Sequence, residues 1–323
     1  MGTVSRILNG STEVSARAAS RDTAERVRHI AREMAYTPDL IGRSLRTQRT
    51  QLFGVLVPRM TDVVFALVHE GIEDAAAAHG YYTYTATTRD DTDEQRVRIE
   101  MMLSQRVTGL IFGDAHHGSS PIDEVAALGI PFVLINRRSG DHPSVTCDDY
   151  EGGRLVAQHL LSLGHERVAV VAGELFSSTD IDRTRGFLDT YRQEGVRVPH
   201  ENIVNGRVDS SGGNAAGRQL LDFDPRLTAI FAVNDFAAVG VMGAARERGM
   251  RVGTDLSVVG FNDVPLAKQL PLPLTTVRSS LYEMGTRAVQ MLIQILAGEK
   301  VQQELLLPTL QVRESSGPAM TQR

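Results

Sequence analysis

Few side chains in this chain have the type and spacing to make or break bonds. His116 and His117 stand together in GDAHHGSS, but no third ligand follows three or four residues on, as a histidine-based metal site would need. Asp148 and Asp149 are adjacent carboxylates that could serve as acid and base, yet no catalytic motif supplies them with a partner for turnover. The chain has no GxSxG, no phosphate-binding P-loop, no GxGxxG after its first strand and no HExxH. Cys147 is the only cysteine, which excludes a disulfide framework and a cysteine-based zinc site and fits a reducing, cytoplasmic compartment. The chemistry to expect is therefore recognition without turnover, with no cofactor and no metal.

The charge pattern says what kind of recognition. The net charge is −5, which alone speaks against a nucleic-acid partner. Residues 1–50, however, carry nine arginines against five carboxylates, so a basic head precedes an acidic body. The head could meet a polyanion or could be no more than a solvated helical face. There is neither a signal-like N-terminal pattern nor an apolar run approaching a membrane span.

The elements that must position these residues follow from periodicity. Residues 22–36, DTAERVRHIAREMAY, set Val27, Ile30, Ala31 and Met34 on one helical face. Asp22 and Glu25 are spaced as a capping box, and Thr37-Pro38 would stop the helix. DLIGRSLRTQRT reads as a linker or marginal helix. From residue 52 the pattern changes to short β-rich runs, LFGVLVP, YYTYTAT, GLIFGD and PFVLIN, separated by helical stretches. The rhythm restarts after residue 149 with RVAVVAG, ENIVNG, LTAIFAVN and LSVVGFN. Two sets of βα units imply an α/β fold with two parallel-sheet lobes, whose ligands sit in loops at the carboxyl ends of the strands.

The order and spacing of TVSRILNGSTEVS, AYTPD, GRSLRTQRTQLFGVLVP, GIEDAAAAHGY, DDYEGGRLVAQHLLSLGHERVAVVAG, DRTRGF, AVNDFAAVG, VVGFND, PLTTVR and PTLQVRESS resemble the LacI/GalR (lactose-repressor-type) family of bacterial transcription regulators. The resemblance implies a small all-α helix-turn-helix headpiece over residues 1–38 and a hinge helix over 39–50. It further implies a periplasmic-binding-protein-like core over 51–317, crossing between lobes near residues 149, 276 and 307, and a disordered tail over 318–323. The expected partners are a palindromic double-stranded operator, a sugar-like effector and a second copy of the chain. The resemblance also leaves two other classes to weigh: a sugar-binding protein without DNA-binding activity, and a Rossmann-like enzyme. The Arg-rich head argues against the first, and the missing cofactor motifs against the second.

By the same resemblance, Thr3, Ser5, Arg6 and Asn9 fall on the recognition helix, where Arg6 could present its fork to a guanine edge. The positions just before Thr3 are Met1 and Gly2, which cannot read bases, and the family's first helix has no counterpart here. Either an upstream segment supplies that helix, or recognition is altered. VSARAASRDTAERV is also about five residues longer than the family pattern. Arg43, Ser44, Leu45 and Arg46 match the hinge element, with Leu45 as a minor-groove wedge.

In the core, Arg183 of DRTRGF falls where the family holds its effector, and Arg185 should face away. Asn262 replaces the usual aspartate, which would leave Arg183 less neutralised and favour an anionic effector such as a sugar acid or sugar phosphate. Asn234, Ser177 and Thr179 are candidate polar linings. Asp62 and Phe65 belong to the first strand-to-helix loop, where Phe65 could stack on a ring. Val208 stands where some relatives carry an aromatic.

Overall fold

The computed structural model describes Val4, Ile7, residues 19–34, 50–118 and 120–320. It divides into two compact units, residues 1–51 and 52–323.

In the first unit Val4 and Ile7 are helical, with Ile7 buried. Helix α1 runs over Arg21–Glu33. Its start is set by Ser20: the Thr23 amide donates to Ser20 Oγ at 3.3 Å, so the cap lies two residues before the Asp22 expected from sequence. A serine hydroxyl on the second or third helical amide is the commonest way to satisfy these donors. Ala24 is buried, but the expected apolar face is thinly covered, with Ile30 at 44% and Met34 at 74% exposure. The stop at Thr37-Pro38, the hinge segment 39–49, and Thr3, Ser5, Arg6, Asn9, Arg43, Ser44, Leu45 and Arg46 lie outside the described residues.

The second unit is built from β1 (Leu52–Val57), α2 (Val63–Ala78), β2 (Tyr82–Thr87), α3 (Thr92–Ser104), β3 (Gly109–Phe112), α4 (Ser120–Ala127), β4 (Phe132–Ile135) and β5 (Ser144–Cys147). Then follow α5 (Asp149–Ser162), β6 (Val168–Gly173), α6 (Ser178–Gln193), β7 (Ile203–Asn205), α7 (Ser210–Phe223), β8 (Ala229–Ala232), α8 (Asp235–Glu247) and β9 (Ser257–Asn262). The chain closes with β10 (Thr275–Arg278), α9 (Leu281–Leu296), β11 (Glu304–Leu306) and β12 (Thr309–Gln311). No helix among the described residues is long and apolar enough to cross a membrane.

Two six-stranded sheets result, ordered β11-β5-β4-β3-β1-β2 and β12-β10-β9-β8-β6-β7. Every pairing is parallel except that of β10 with β12. Parallel strands covered by helices on both faces read as unbroken apolar runs. That is what GLIF, FVLI, VAVVAG and AIFA are, each buried along its whole length. The chain leaves the first sheet after β5, returns after β10 to place α9 against α2, and passes from β11 to β12 across the two sheets. Ala319, in the segment expected as a tail, donates its amide to Leu163 O at 2.8 Å.

Helices pack in pairs through glycines. A Cβ at Gly153 on α5 would stand 2.0 Å from Arg183 O, and one at Gly186 on α6 would stand 2.0 Å from Tyr150 O. The same reciprocity joins Gly71 of α2 with Gly285 of α9, and Gly213 of α7 with Gly240 of α8. Only a residue without a side chain lets two helical backbones come this close.

Candidate functional site

The carboxyl ends of β1, β2, β4, β6 and β8 and the turn after β7 converge on one cavity of about 560 Å³ between the two sheets, within the usual range for small-molecule sites. Its first-lobe wall includes Arg59, Asp62, Phe65, Arg89, Asp90 and Arg137, and its second-lobe wall includes Glu174, Phe176, Asp180, Arg207, Asp209, Asn234 and Phe236.

The wall is held by strand-end loops that cap the next helix. Asp62 accepts from the Val64 amide at 3.0 Å, Asp209 from Gly212 at 2.8 Å, and Asn234 from Ala237 at 2.8 Å. These side chains therefore both cap helices and line the cavity. The tips are tightly wound: Arg89, Asp90 and Asn136 take φ of 58°, 59° and 62°, and Asn262 and Asp263 take 105° and 52°. Such backbone costs about 1–3 kcal/mol per residue and persists only where surroundings enforce it. At Arg89 they do, since its amide donates to Pro58 O at 2.9 Å and Thr88 Oγ1 donates to the buried Asp114 at 2.6 Å.

Loops of the two lobes touch across the cleft. The His117 amide donates to Phe176 O at 2.8 Å, and the Arg138 amide donates to Ser178 Oγ at 2.9 Å. The Arg138 guanidinium pairs with Asp182. His116 stacks on Phe176 with ring centroids 4.2 Å apart, and Arg137 lies over the same ring at 5.5 Å. His116 thus packs between lobes, 3.9 Å from Asp90.

Burial raises the carboxyl of Asp62 above its ordinary range, against the Val64 amide and Arg137. Burial likewise raises Asp180, opposed by Arg183 and the Glu174 amide. At Asp90 burial is outweighed by hydrogen bonds from His116 and Arg137, and the carboxyl is lowered.

Of the residues expected at the effector, Asp62, Phe65 and Asn234 line the cavity, as does Val208. Ser177, Thr179, Arg183 and Asn262 are buried and do not. Ser177 and Thr179 hydroxyls bond each other at 2.8 Å. Arg183 is only 3% exposed, and its donors are spent on Asp149 Oδ1 at 2.7 Å, Val233 O at 2.8 Å and Asn262 Oδ1 at 3.3 Å. Its guanidinium lies 3.8 Å from the Phe261 centroid. This corrects the expectation that Asn262 leaves Arg183 short of negative charge: Asp149 supplies it. Arg185 is exposed over Tyr150, as a residue facing away should be.

The sequence reading missed Arg59, Arg89, Asp90, Arg137, Glu174, Phe176, Asp180, Arg207, Asp209 and Phe236. The signal was available for several, because Arg89-Asp90 follows YYTYTAT after a single threonine and Arg137 directly follows PFVLIN.

Two floor carboxyls are displaced. Burial pushes Asp149 up to about 7 despite Arg183. Burial also pushes Asp235 up to about 7, although it accepts from Thr276 Oγ1 and, at 2.8 Å, from the Val264 amide. A carboxyl raised in the folded state stabilises fully below its unfolded value and loses that contribution as pH rises through the folded one. Asp235→Asn, which keeps an acceptor for Val264, should therefore flatten the fall in unfolding midpoint between pH 5 and pH 8. A slope identical to wild type would show that Asp235 is not the group responsible.

A family model described as a periplasmic binding protein-like domain matches residues 157–316. The chain is 31% identical to the HTH-type transcriptional regulator DegA of Bacillus subtilis, over 99% of this chain and 95% of that one. Among solved structures, the Lac repressor dimer bound to operator and the anti-inducer ONPF superposes with a TM-score of 0.87 at 27% identity, covering 98% of this chain and 94% of that one. The complex of the transcriptional regulator CelR with cellobiose gives 0.76 at 27% identity, covering 96% and 94%. With its two helix-covered parallel sheets, its interlobe cavity and a full-length relative at this identity, the chain belongs to the LacI/GalR family of transcription regulators.

Proposed function

We propose that this chain is an effector-responsive repressor of carbohydrate-utilisation genes, acting as a homodimer on a palindromic operator. The observation that carries the reading is the cavity of about 560 Å³, large enough for a sugar and lined by carboxylates, guanidiniums and aromatic rings. The regulators with solved structures named above supply the analogy, one bound to operator as a dimer and one to cellobiose. Residues 1–38 serve as headpiece, 39–50 as hinge and 51–317 as effector core. Asp62, Phe65 and Asn234 touch the effector, and Ser177, Thr179, Arg183 and Asn262 hold the floor beneath it.

The mechanism is population shift. Ligand favours one lobe arrangement, and the dimer built on that arrangement does not hold two hinge segments side by side on DNA. A coupling of about 1–3 kcal/mol, or roughly 5–150-fold in operator affinity, is what such a switch needs. A sugar that raises the unfolding midpoint should change operator affinity by a factor in that range, measured by fluorescence anisotropy on a duplex selected from random sequence. Sugar binding that leaves operator affinity unchanged would refute the regulatory reading.

Thr3, Ser5, Arg6 and Asn9 are assigned to the recognition helix, and Arg43, Ser44, Leu45 and Arg46 to the hinge. A leucine wedged into a base step offsets unstacking through the contacts that a bent duplex gains. Leu45→Ala should weaken operator binding by roughly tenfold or more while sugar affinity holds. Wild-type operator affinity in that variant would retire the wedge.

A further inference from the structure

The cavity's first-lobe wall holds three guanidiniums on three strand-end loops: Arg59 after β1, Arg89 after β2 and Arg137 after β4. Among the described residues Arg59 and Arg89 form no ion pair, whereas Arg207 across the cleft is neutralised by Asp209. Arg137 is mostly buried and gives one arm to Asp90, yet among the described residues its Nε has no hydrogen-bond partner. A buried donor left unpaired is costly, so such groups in a cavity wall mark a place where an acceptor belongs. The backbone agrees. Arg89 and Asp90 are consecutive non-glycine residues in the left-handed region, fastened to β1 through the Arg89 amide, which fixes Arg89 at the rim facing the same space.

We propose that the effector carries an anionic group, a carboxylate or a phosphate, seated on the first lobe between Arg89 and Arg137. Its hydroxyls turn to the acceptors of the second lobe, Asp180 and Asn234. A guanidinium fork matches two oxygens of either anion, while carboxylate and amide oxygens suit sugar hydroxyls. Asp90 holds Arg137 in place and completes its charge balance when the cleft is empty. The inference rests on the cleft being the effector site.

The test uses the full chain, thermal unfolding and calorimetric titration. The probes are inorganic phosphate at constant ionic strength and matched pairs: glucose with glucuronate and glucose 6-phosphate, galactose with galacturonate, ribose with ribose 5-phosphate. At least one acid should bind about tenfold tighter than its neutral parent. Arg89→Met, at an exposed position, and Arg137→Lys, which keeps the charge but not the fork, should each cut the ratio of acid to parent affinity to about threefold or less. Uronates and sugar phosphates separate the two anion sources. An acid that keeps its advantage in both variants, or neutral parents that match their acids, would overturn the assignment and leave the cleft reading standing. Silence from every probe, phosphate included, would overturn both.

Discussion

Arg183→Ala should lower the unfolding midpoint by about 10 °C, whether or not effector is present. The guanidinium is buried and gives hydrogen bonds to Asp149, Val233 O and Asn262. Removing it strands the Asp149 carboxylate in a dry site and leaves a strand-end carbonyl without a donor. Breaking a buried ion pair from one side typically costs about 3–5 kcal/mol, because the surviving charge has neither water nor its partner. In a unit of this size each kcal/mol moves the midpoint by about 2–4 °C. Part of the loss should be recovered at low pH, where Asp149, already pushed up to about 7, takes a proton. The check is thermal unfolding at pH 5 and pH 8. A variant that unfolds like wild type but no longer responds to sugar would mean that Arg183 acts on the effector directly.

Gly186→Ala should be equally severe, and for a reason without charge. In an exposed helix this change gains about 1 kcal/mol of helix propensity. Here the new Cβ would stand 2.0 Å from Tyr150 O, and the matching Cβ at Gly153 would meet Arg183 O at the same distance. Neither obstacle is a side chain that can swing aside, so α5 and α6 must part along their length. Overpacking typically costs about 1–3 kcal/mol, and two rigid backbone obstacles put this case at the upper end. Gly243→Ala provides the contrast, since its Cβ would meet only the Asn214 amide nitrogen at 3.2 Å. Denaturant midpoints for the two variants decide the matter: Gly243→Ala should be near wild type and Gly186→Ala far below it, and equal midpoints would dismiss the glycine joint.

Much of the fold was legible because long apolar strands and amphipathic helices carry their burial in their own composition. β1, β3, β4, β6, β8 and β9 were readable within a residue or two for that reason. SVTC, TTVR, ELL and TLQ, the strands β5, β10, β11 and β12, carried no such mark. They are three or four residues long and include buried threonines, Thr146, Thr275 and Thr276, whose place is set by neighbours remote in sequence. The site was legible in part. Asp62 and Asn234 cap the helices that follow β1 and β8, Phe65 lies in the first turn of α2, and all three line the cavity. Arg183 did not reach it, because Asp149, thirty-four residues earlier, holds its Nε. Arg137 and Arg138 are adjacent in sequence, yet one enters the cavity and its neighbour bridges to Asp182 across the cleft. A strand end turns successive side chains in different directions, and only the fold says which points where.

The reciprocal glycines carry a consequence for how such a regulator can change. Its tightest joints are main chain against main chain, made of atoms that every amino acid shares, while the cleft is written in side chains on loops between those joints. Wear on the loops leaves the frame untouched. A new ligand could therefore be acquired by exchanging the tips after β1, β2, β4, β6 and β8 as cassettes, with the helix joints that hold each lobe together inherited unaltered.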